Sequence, residues 1–326
     1  MTANLQNPIF TDETKAREWL EARVWPNGPV CPHCGNADHA KLKALQGKAH
    51  RPGLYQCADC REQFTVTVKT VFERSKIPLT KWLAALFLLT ASKKGVSAHQ
   101  IHRSLGISYK SSWFMMHRLR EALRTGGLAP LGGAGKVVEA DETFIGRNAF
   151  APKGRKKAGV AFKNIVLTLV ERGGSARSFP IDTHSLAEIT AIVRANVHSE
   201  TAINTDEGKW YNEMGKHFAS HDTVNHSKDE YVRYLNEVTN ETRPDGKPLV
   251  VTTNITTNTV EGYYSVFKRG MKGVYQHCSE KHLHRYLSEF DFRYSNRIAL
   301  GVDDTERRTR AIKNAAGKRL TYGGRH

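Results

Sequence analysis

Val137-Val138-Glu139-Ala140-Asp141-Glu142-Thr143-Phe144-Ile145-Gly146 is the stretch on which the reading of the fold turns. Apolar and β-branched residues interleaved with acids predict a strand within Lys136–Ile145. Further strands are expected at Asn164–Val170, Ser178–Thr183 and Thr201–Thr205, with a helix over Leu186–Val197 and later helices over 259–271 and 279–298. Strands followed by alternating helix and strand predict an α/β module with a central mixed sheet. Asp141 lies inside the first strand, Asp206 ends a later one, and Glu261 opens a helix in which Lys268 follows two turns on along the same face. Acids on two strands and a helix suit a phosphoryl-transfer site with two magnesium ions. Hard cations take carboxylate oxygens, and two metals about 3.5–4 Å apart activate the attacking oxygen and stabilise the leaving one. Strand alternation puts Glu139 on the face of Asp141 and makes it the main rival. Glu142 should point away, and Glu207 competes with Asp206.

Upstream, Cys31-Pro32-His33-Cys34 and Cys57-Ala58-Asp59-Cys60 form two C-x2-C pairs with 22 residues between them. A two-residue gap lets both thiolates of a pair face one point, so Cys31, Cys34, Cys57 and Cys60 are expected to close a tetrahedral structural zinc site. Gly35 suits the tight turn after the first pair, and four thiolates leave His33 and His39 spare. Cys278 stands alone and reads as a packed or exposed thiol. A short helix over 8–22, capped by Thr11 or Asp12, should turn Ala16, Trp19 and Leu20 inward.

Residues 78–125 read as helical throughout. Within them Ala98, Ile101 and Leu105 share a face, Gly106 makes a turn, and Ser108 can cap the next helix, the pattern of a helix-turn-helix. Tyr109, Lys110, Ser111 and Ser112 would begin the recognition helix, with Arg118 and Arg124, together with Arg103 and Arg120, as phosphate partners. Charge supports a nucleic-acid partner. The net charge is +17, and residues 71–135 hold 10 basic residues against 2 acidic, whereas residues 136–300 hold 23 against 20. Lys153–Lys157 is a basic loop. The longest apolar stretch, Trp82–Ala91, falls short of the roughly 20 residues that cross a bilayer, so no membrane partner is expected. Paired cysteines and the lack of a secretory pattern at Met1–Phe10 suggest the cytoplasm.

The runs WFMMHRLREAL (113–123), EADETFIG (139–146) and NTDEGKWY (204–211) carry a family pattern, as does NTVEGYYSVFKRGMKGVYQHCSEKHLHRYLSEFDFRYSNR (258–297). Together they resemble the ISXO-like insertion-sequence transposases over roughly residues 15–300. That family joins an N-terminal zinc ribbon to a DDE catalytic domain of ribonuclease-H-like fold. The resemblance implies that Asp141, Asp206 and Glu261 are the DDE acids, with Lys268 as the associated lysine. Two Mg²⁺ or Mn²⁺ ions would be held by the three acids, and Lys268 and Arg269 would grip the DNA backbone. It also implies cleavage and joining at terminal inverted repeats. The partners would be double-stranded DNA, as element ends and as target, and further copies of the chain in a synaptic complex at the nucleoid. Thr256 stands where the family commonly has His, and Ser295 where it commonly has Asn. The expected division is 1–70 helix and zinc ribbon, 71–135 helix-turn-helix region and linker, 136–300 catalytic domain, and 301–326 basic tail. Two alternatives share these features: a DNA-binding regulator with an inactive nuclease-like domain, and a nuclease or resolvase that cuts without joining.

Overall fold

The computed structural model describes residues 5–147, 162–182, 185–208, 211, 214–225, 230, 232–242 and 248–321; the basic loop Lys153–Lys157 lies outside them. The chain divides into two compact units, one formed by Met1–Gly126 with Asn296–His326 and the other by Gly127–Ser295.

The first unit begins with α1 (Glu13–Val24), capped by Asp12, whose carboxylate accepts from the N–H groups of Thr14 and Lys15 at 2.7 and 3.1 Å. A small antiparallel sheet follows, of β1 (Leu42–Ala44), β2 (Tyr55–Cys57) and β3 (Gln63–Phe64) in that order. Its core is an aromatic triad, with Trp25 edge-on to Tyr55 and Phe64 at 5.6 and 5.8 Å. The helical stretch expected over 78–125 comprises three helices, α2 (Leu79–Ala91), α3 (Ala98–Leu105) and α4 (Tyr109–Leu123), with the expected turn at Gly106 and a further break before α3. Gly95 and Gly106 break it, both in the left-handed region at φ +93° and +59°, which glycine enters without a Cβ penalty. Ser97 and Ser108 then restart the helices by accepting from the N–H groups of Gln100 and Ser111, each at 3.1 Å.

The second unit is built on a five-stranded sheet. It comprises β4 (Val137–Ile145), β5 (Asn164–Glu171), β6 (Ala176–Ile181), β7 (Ala202–Asp206) and β8 (Ser220–Val224), with α5 (Leu186–Asn196) between β6 and β7. The spatial order is β6-β5-β4-β7-β8. β4, β5 and β6 pair antiparallel, while β7 and β8 run parallel to β4 and to each other. An antiparallel meander joined to parallel strands at its first member is the ribonuclease-H-like core. Leu167, Leu169, Ile203, Ile189 and Val193 pack α5 on one side of it. On the other side Val166 and Val170 meet Val260, Tyr264 and Phe267 of α6 (Asn258–Gly270) and Leu283, Leu287 and Phe290 of α7 (Glu280–Ser295). Between β8 and α6 runs an antiparallel ribbon of β9 (Arg233–Thr242) and β10 (Pro248–Ile255).

Residues 301–321, expected as a tail, carry α8 (Asp304–Lys313) and belong with the first unit. Arg307 is buried and donates to the carbonyls of Thr90 and Asn296 at 3.1 and 2.7 Å. Arg308, 3% exposed, lies 4.9 Å from the Trp19 ring and 5.4 Å from Phe10. Burial, with Arg23 nearby, pushes its guanidinium down to about 10. Trp19 is held between Arg308 and Arg23.

Candidate active site and metal centre

The four paired cysteines converge. Their Sγ atoms all lie within 4.8 Å of one another, with Cys31 to Cys60 at 3.6 Å and Cys34 to Cys57 at 3.7 Å. Those distances are far beyond a disulfide and match the edge of a tetrahedron drawn with zinc–sulfur bonds of about 2.3 Å, roughly 3.8 Å. The two knuckles are built alike. Cys31 N–H donates to Asn36 O and Cys57 N–H to Glu62 O, at 2.8 and 3.1 Å. The residue after each second cysteine is left-handed, Gly35 at φ +80° and Arg61 at φ +62°. The backbone N–H groups of Cys60 and Asp59 lower the Cys57 thiol to about 7. Cys60, although favoured by the Glu62 N–H, is pushed up to about 12 by burial and the neighbouring thiols. Four sulfurs this close cannot all ionise without a cation, and the soft, closed donor set fits structural zinc.

The second site lies on the five-stranded sheet. Asp141 sits in the middle of β4, Asp206 ends β7 beside it, and Glu261 is in the first turn of α6. Burial, followed by the charges of Asp206, Glu142 and Glu261, pushes the Asp141 carboxyl up to about 8. The three acids singled out in the sequence therefore share one electrostatic neighbourhood. They are more open than the cysteines, since among the described residues only the thiolate set closes within 4.8 Å. Asp141 Oδ1 accepts from the Glu142 N–H at 2.7 Å and Asp206 Oδ1 from the Gly208 N–H at 3.0 Å. The Thr257 hydroxyl donates to Glu261 at 3.1 Å. An all-carboxylate donor set with mutual repulsion is the chemistry a hard divalent cation relieves.

The neighbouring acids separate. Glu139, the main rival on Asp141's face, is fully buried, and all its acceptor positions are taken. Oε1 accepts from Arg172 Nε at 2.6 Å and from the Thr259 hydroxyl at 2.8 Å. Oε2 accepts from the N–H groups of Thr259 and Val260 at 2.7 and 3.0 Å. A carboxylate has about four lone-pair sites, so none remains for a metal. Glu142, expected to point away, accepts with its carboxylate from the hydroxyl of the buried Tyr211, which packs with Val138 and Ala140 on the side of the sheet opposite Glu139 and α6. Its charge still raises the Asp141 carboxyl because the two residues are adjacent in the chain.

Two departures from the family pattern have structural partners. The Thr256 hydroxyl accepts from the Asn258 N–H at 3.1 Å, and Ser295 Oγ accepts from the Ala176 N–H at 3.0 Å, tying the end of α7 to β6. Lys268 Nζ lies 5.8 Å from the Tyr264 ring, whose hydroxyl donates to the Asp141 carbonyl. Arg269, the next residue, is exposed and donates to the Ser265 hydroxyl. Arg172, Tyr211 and Tyr264 escaped the sequence reading, because nothing in their spacing marks a partner so distant along the chain.

In the first unit, Tyr109 is 44% exposed and stacks on His99 at 4.1 Å, with Lys110 exposed beside it. Ser111 is half-buried, and Arg124 is exposed and paired with Glu121 at 3.4 Å. Ser112 and Arg118 are corrections to the expected DNA-facing set. Ser112 is fully buried, its hydroxyl donating to Ser108 O at 3.0 Å. Arg118 is also buried, donating to Glu73 O at 2.7 Å and facing the Trp82 ring at 5.1 Å. Arg120 is likewise buried. Ser112 precedes Met115, Met116 and Leu119 at helical spacing, and that apolar stripe was the available signal.

Comparison with known proteins agrees with this anatomy. Residues 130–295 match the ISXO2-like transposase domain and residues 11–63 the transposase zinc-ribbon domain. A Halobacterium salinarum protein described as an uncharacterized protein in transposable element ISH50 is 27% identical over 237 residues, 68% of this chain and 77% of that protein. Among solved structures, a piggyBac transposase synaptic complex with hairpin DNA is 11% identical at a TM-score of 0.31, covering 94% of this chain and 77% of that one. A Drosophila P element transposase strand transfer complex is 11% identical at 0.26, covering 70% and 59%.

Proposed function

We propose that this chain, which belongs to the ISXO2-like transposase family, binds the terminal inverted repeats of an insertion sequence and cuts and joins DNA strands with Asp141, Asp206 and Glu261. The observation that carries the reading is that Asp206 ends β7 directly beside β4 and Asp141, with Glu261 in the first turn of α6 near enough to raise the Asp141 carboxyl. Two divalent ions bound by these carboxylates would activate the attacking oxygen and stabilise the leaving one. In the first reaction water attacks phosphorus at the element end, the P–O3′ bond breaks, and a 3′-hydroxyl is released. In the second that hydroxyl attacks a target phosphodiester and displaces the target's own 3′-hydroxyl. Lys268 and Arg269 hold the DNA backbone beside the acids, where cations favour the developing negative charge. Tyr109, Lys110 and Ser111 at the start of α4 read the repeat, and Arg124 contacts phosphate. The zinc ribbon is a folded support without an open metal position.

The test is incubation of protein, Mg²⁺ and DNA carrying the flanking repeats, read for 3′ nicks and joined products. Asp141→Asn, Asp206→Asn and Glu261→Gln should each abolish cleavage while sparing repeat binding, and their effects should not add. Repeat binding by the unaltered chain with no cleavage in Mg²⁺ or Mn²⁺ would favour the regulator. Nicks that are never joined would favour a nuclease or resolvase.

A further inference from the structure

We infer that Glu139 and Arg172 act as a positioning clamp that sets where Glu261 stands relative to Asp141 and so tunes the site's affinity for divalent cation. The inference rests on the metal-dependent reading above. Its starting point is the way α6 begins. The N-cap residue Thr257 makes no capping bond, because its hydroxyl donates to Glu261 instead. The helix N–H groups that a cap would satisfy, those of Thr259 and Val260, are taken by Glu139 from β4, at 2.7 and 3.0 Å. The first turn of α6 is thus fastened to the strand that carries Asp141, two residues from Asp141 on one side and one or two from Glu261 on the other.

Arg172 completes the fastening from the end of β5. Its Nε pairs with Glu139 at 2.6 Å, Nη1 donates to Asn254 O at 2.6 Å, and Nη2 donates to Thr256 O at 2.9 Å. Three branches of one planar group therefore fix the carboxylate, the end of β10 and the loop into α6 in a single geometry. A guanidinium can do this because its donors diverge in a rigid fork. With every lone pair of Glu139 committed, the carboxylate works through Glu261 rather than on the ion itself. Groups that orient metal ligands typically govern affinity by about 10–100-fold.

Lysine at position 172 keeps the charge opposite Glu139 but cannot reach three directions. Arg172→Lys should therefore fold and yet bind metal poorly. The experiment is Mn²⁺ titration of the zinc-loaded protein followed by electron paramagnetic resonance, with thermal melting of the same samples and Asp141→Asn as the variant lacking the site. The clamp is supported if Arg172→Lys melts within a few degrees of the unaltered chain but needs roughly 10-fold more Mn²⁺ for half-saturation. The half-saturating Mg²⁺ for strand cleavage should rise by the same factor. Unchanged Mn²⁺ affinity in a folded Arg172→Lys protein overturns it. If that variant does not fold, Glu139→Asp takes its place, being one methylene too short to reach both Arg172 and α6, with the same two outcomes. Failure of the unaltered chain to bind Mn²⁺ more tightly than Asp141→Asn is a different result, and it removes the metal site and the clamp's role together.

Discussion

Arg61 occupies the place in the second cysteine knuckle that Gly35 occupies in the first, and both are left-handed. The Cβ of an L-residue costs about 1–2 kcal/mol there, partly offset by the greater freedom glycine loses on folding. Arg61→Gly should therefore raise the stability of the zinc-loaded ribbon by about 0.5–1 kcal/mol, and Gly35→Ala should lower it by about 1–2 kcal/mol, both measurable by chemical denaturation. If Arg61→Gly were destabilising, its side chain would have to hold the knuckle. Asp141 is strained in a different way, being held up at about 8 by burial and by Asp206, Glu142 and Glu261. Its folded value lies above the ordinary one, so its contribution to stability is full below about pH 4 and is lost as pH rises through about 8. With no divalent cation at these acids, the protein should become less stable between pH 6 and 9. Asp141→Asn should remove about 1–3 kcal/mol of that loss, which melting at the two pH values would measure. Equal slopes in the two proteins would mean that Asp141 ionises normally. Reading such residues from the sequence succeeded where chemistry dictated spacing, as in C-x2-C, whose four sulfurs converge. It failed for Ser112 and Arg118, whose types suggest DNA while their helical phase places them on the buried stripe.

At the scale of elements, one device recurs: a glutamate from elsewhere in the unit caps a helix that lacks its own cap. Glu139 does this for α6. For α2, which begins after Pro78 with no side-chain cap, Glu13 of α1 accepts from the N–H groups of Leu79 and Thr80 at 3.0 and 2.9 Å and from the Thr80 hydroxyl at 2.6 Å. Glu13→Ala should cost about 2 kcal/mol, and Glu13→Gln, which keeps one acceptor oxygen, about half that. Urea unfolding would show this as a lower midpoint, and an unchanged midpoint for Glu13→Ala would mean that water serves α2 equally well. The elements legible in the sequence were those with a clear apolar period, among them β4, β5, β6, β7, α5, α6 and α7. The missed ones show no clear apolar period. β8 reads Ser-His-Asp-Thr-Val, and the β9–β10 ribbon is rich in Asn and Thr. α8 buries Ala311 and Ile312 together with Arg307 and Arg308. Long charged side chains cover apolar surface with their stems, so a packed helix there looks like a basic tail.

For the molecule as a whole, the zinc site predicts a confined effect. Purified protein should carry one zinc per chain, and chelation should unfold the ribbon around residues 25–68 while the five-stranded sheet keeps its circular dichroism, because structural zinc supplies folding energy to its own small module. Loss of the sheet signal together with zinc would contradict that. The return of α8 to the first unit predicts the reverse sensitivity. A chain ending at Leu300 should expose the faces of α1 and α2 that α8 covers, bind a hydrophobic dye and aggregate, whereas ending at Leu320 should do neither. The same return has a consequence for the order of events on the ribosome. Synthesis delivers α1, α2 and α4 long before Arg307 and Arg308, and all of residues 127–295 must emerge in between. At about 5–20 residues per second the first unit waits roughly 10–40 s for its last helix, while the second can fold as a continuous stretch. A chain interrupted after residue 295 carries Asp141 and Asp206 on the sheet and Glu261 on α6, yet its first unit still lacks α8. Completion of the first unit thus reports that translation has passed residue 313.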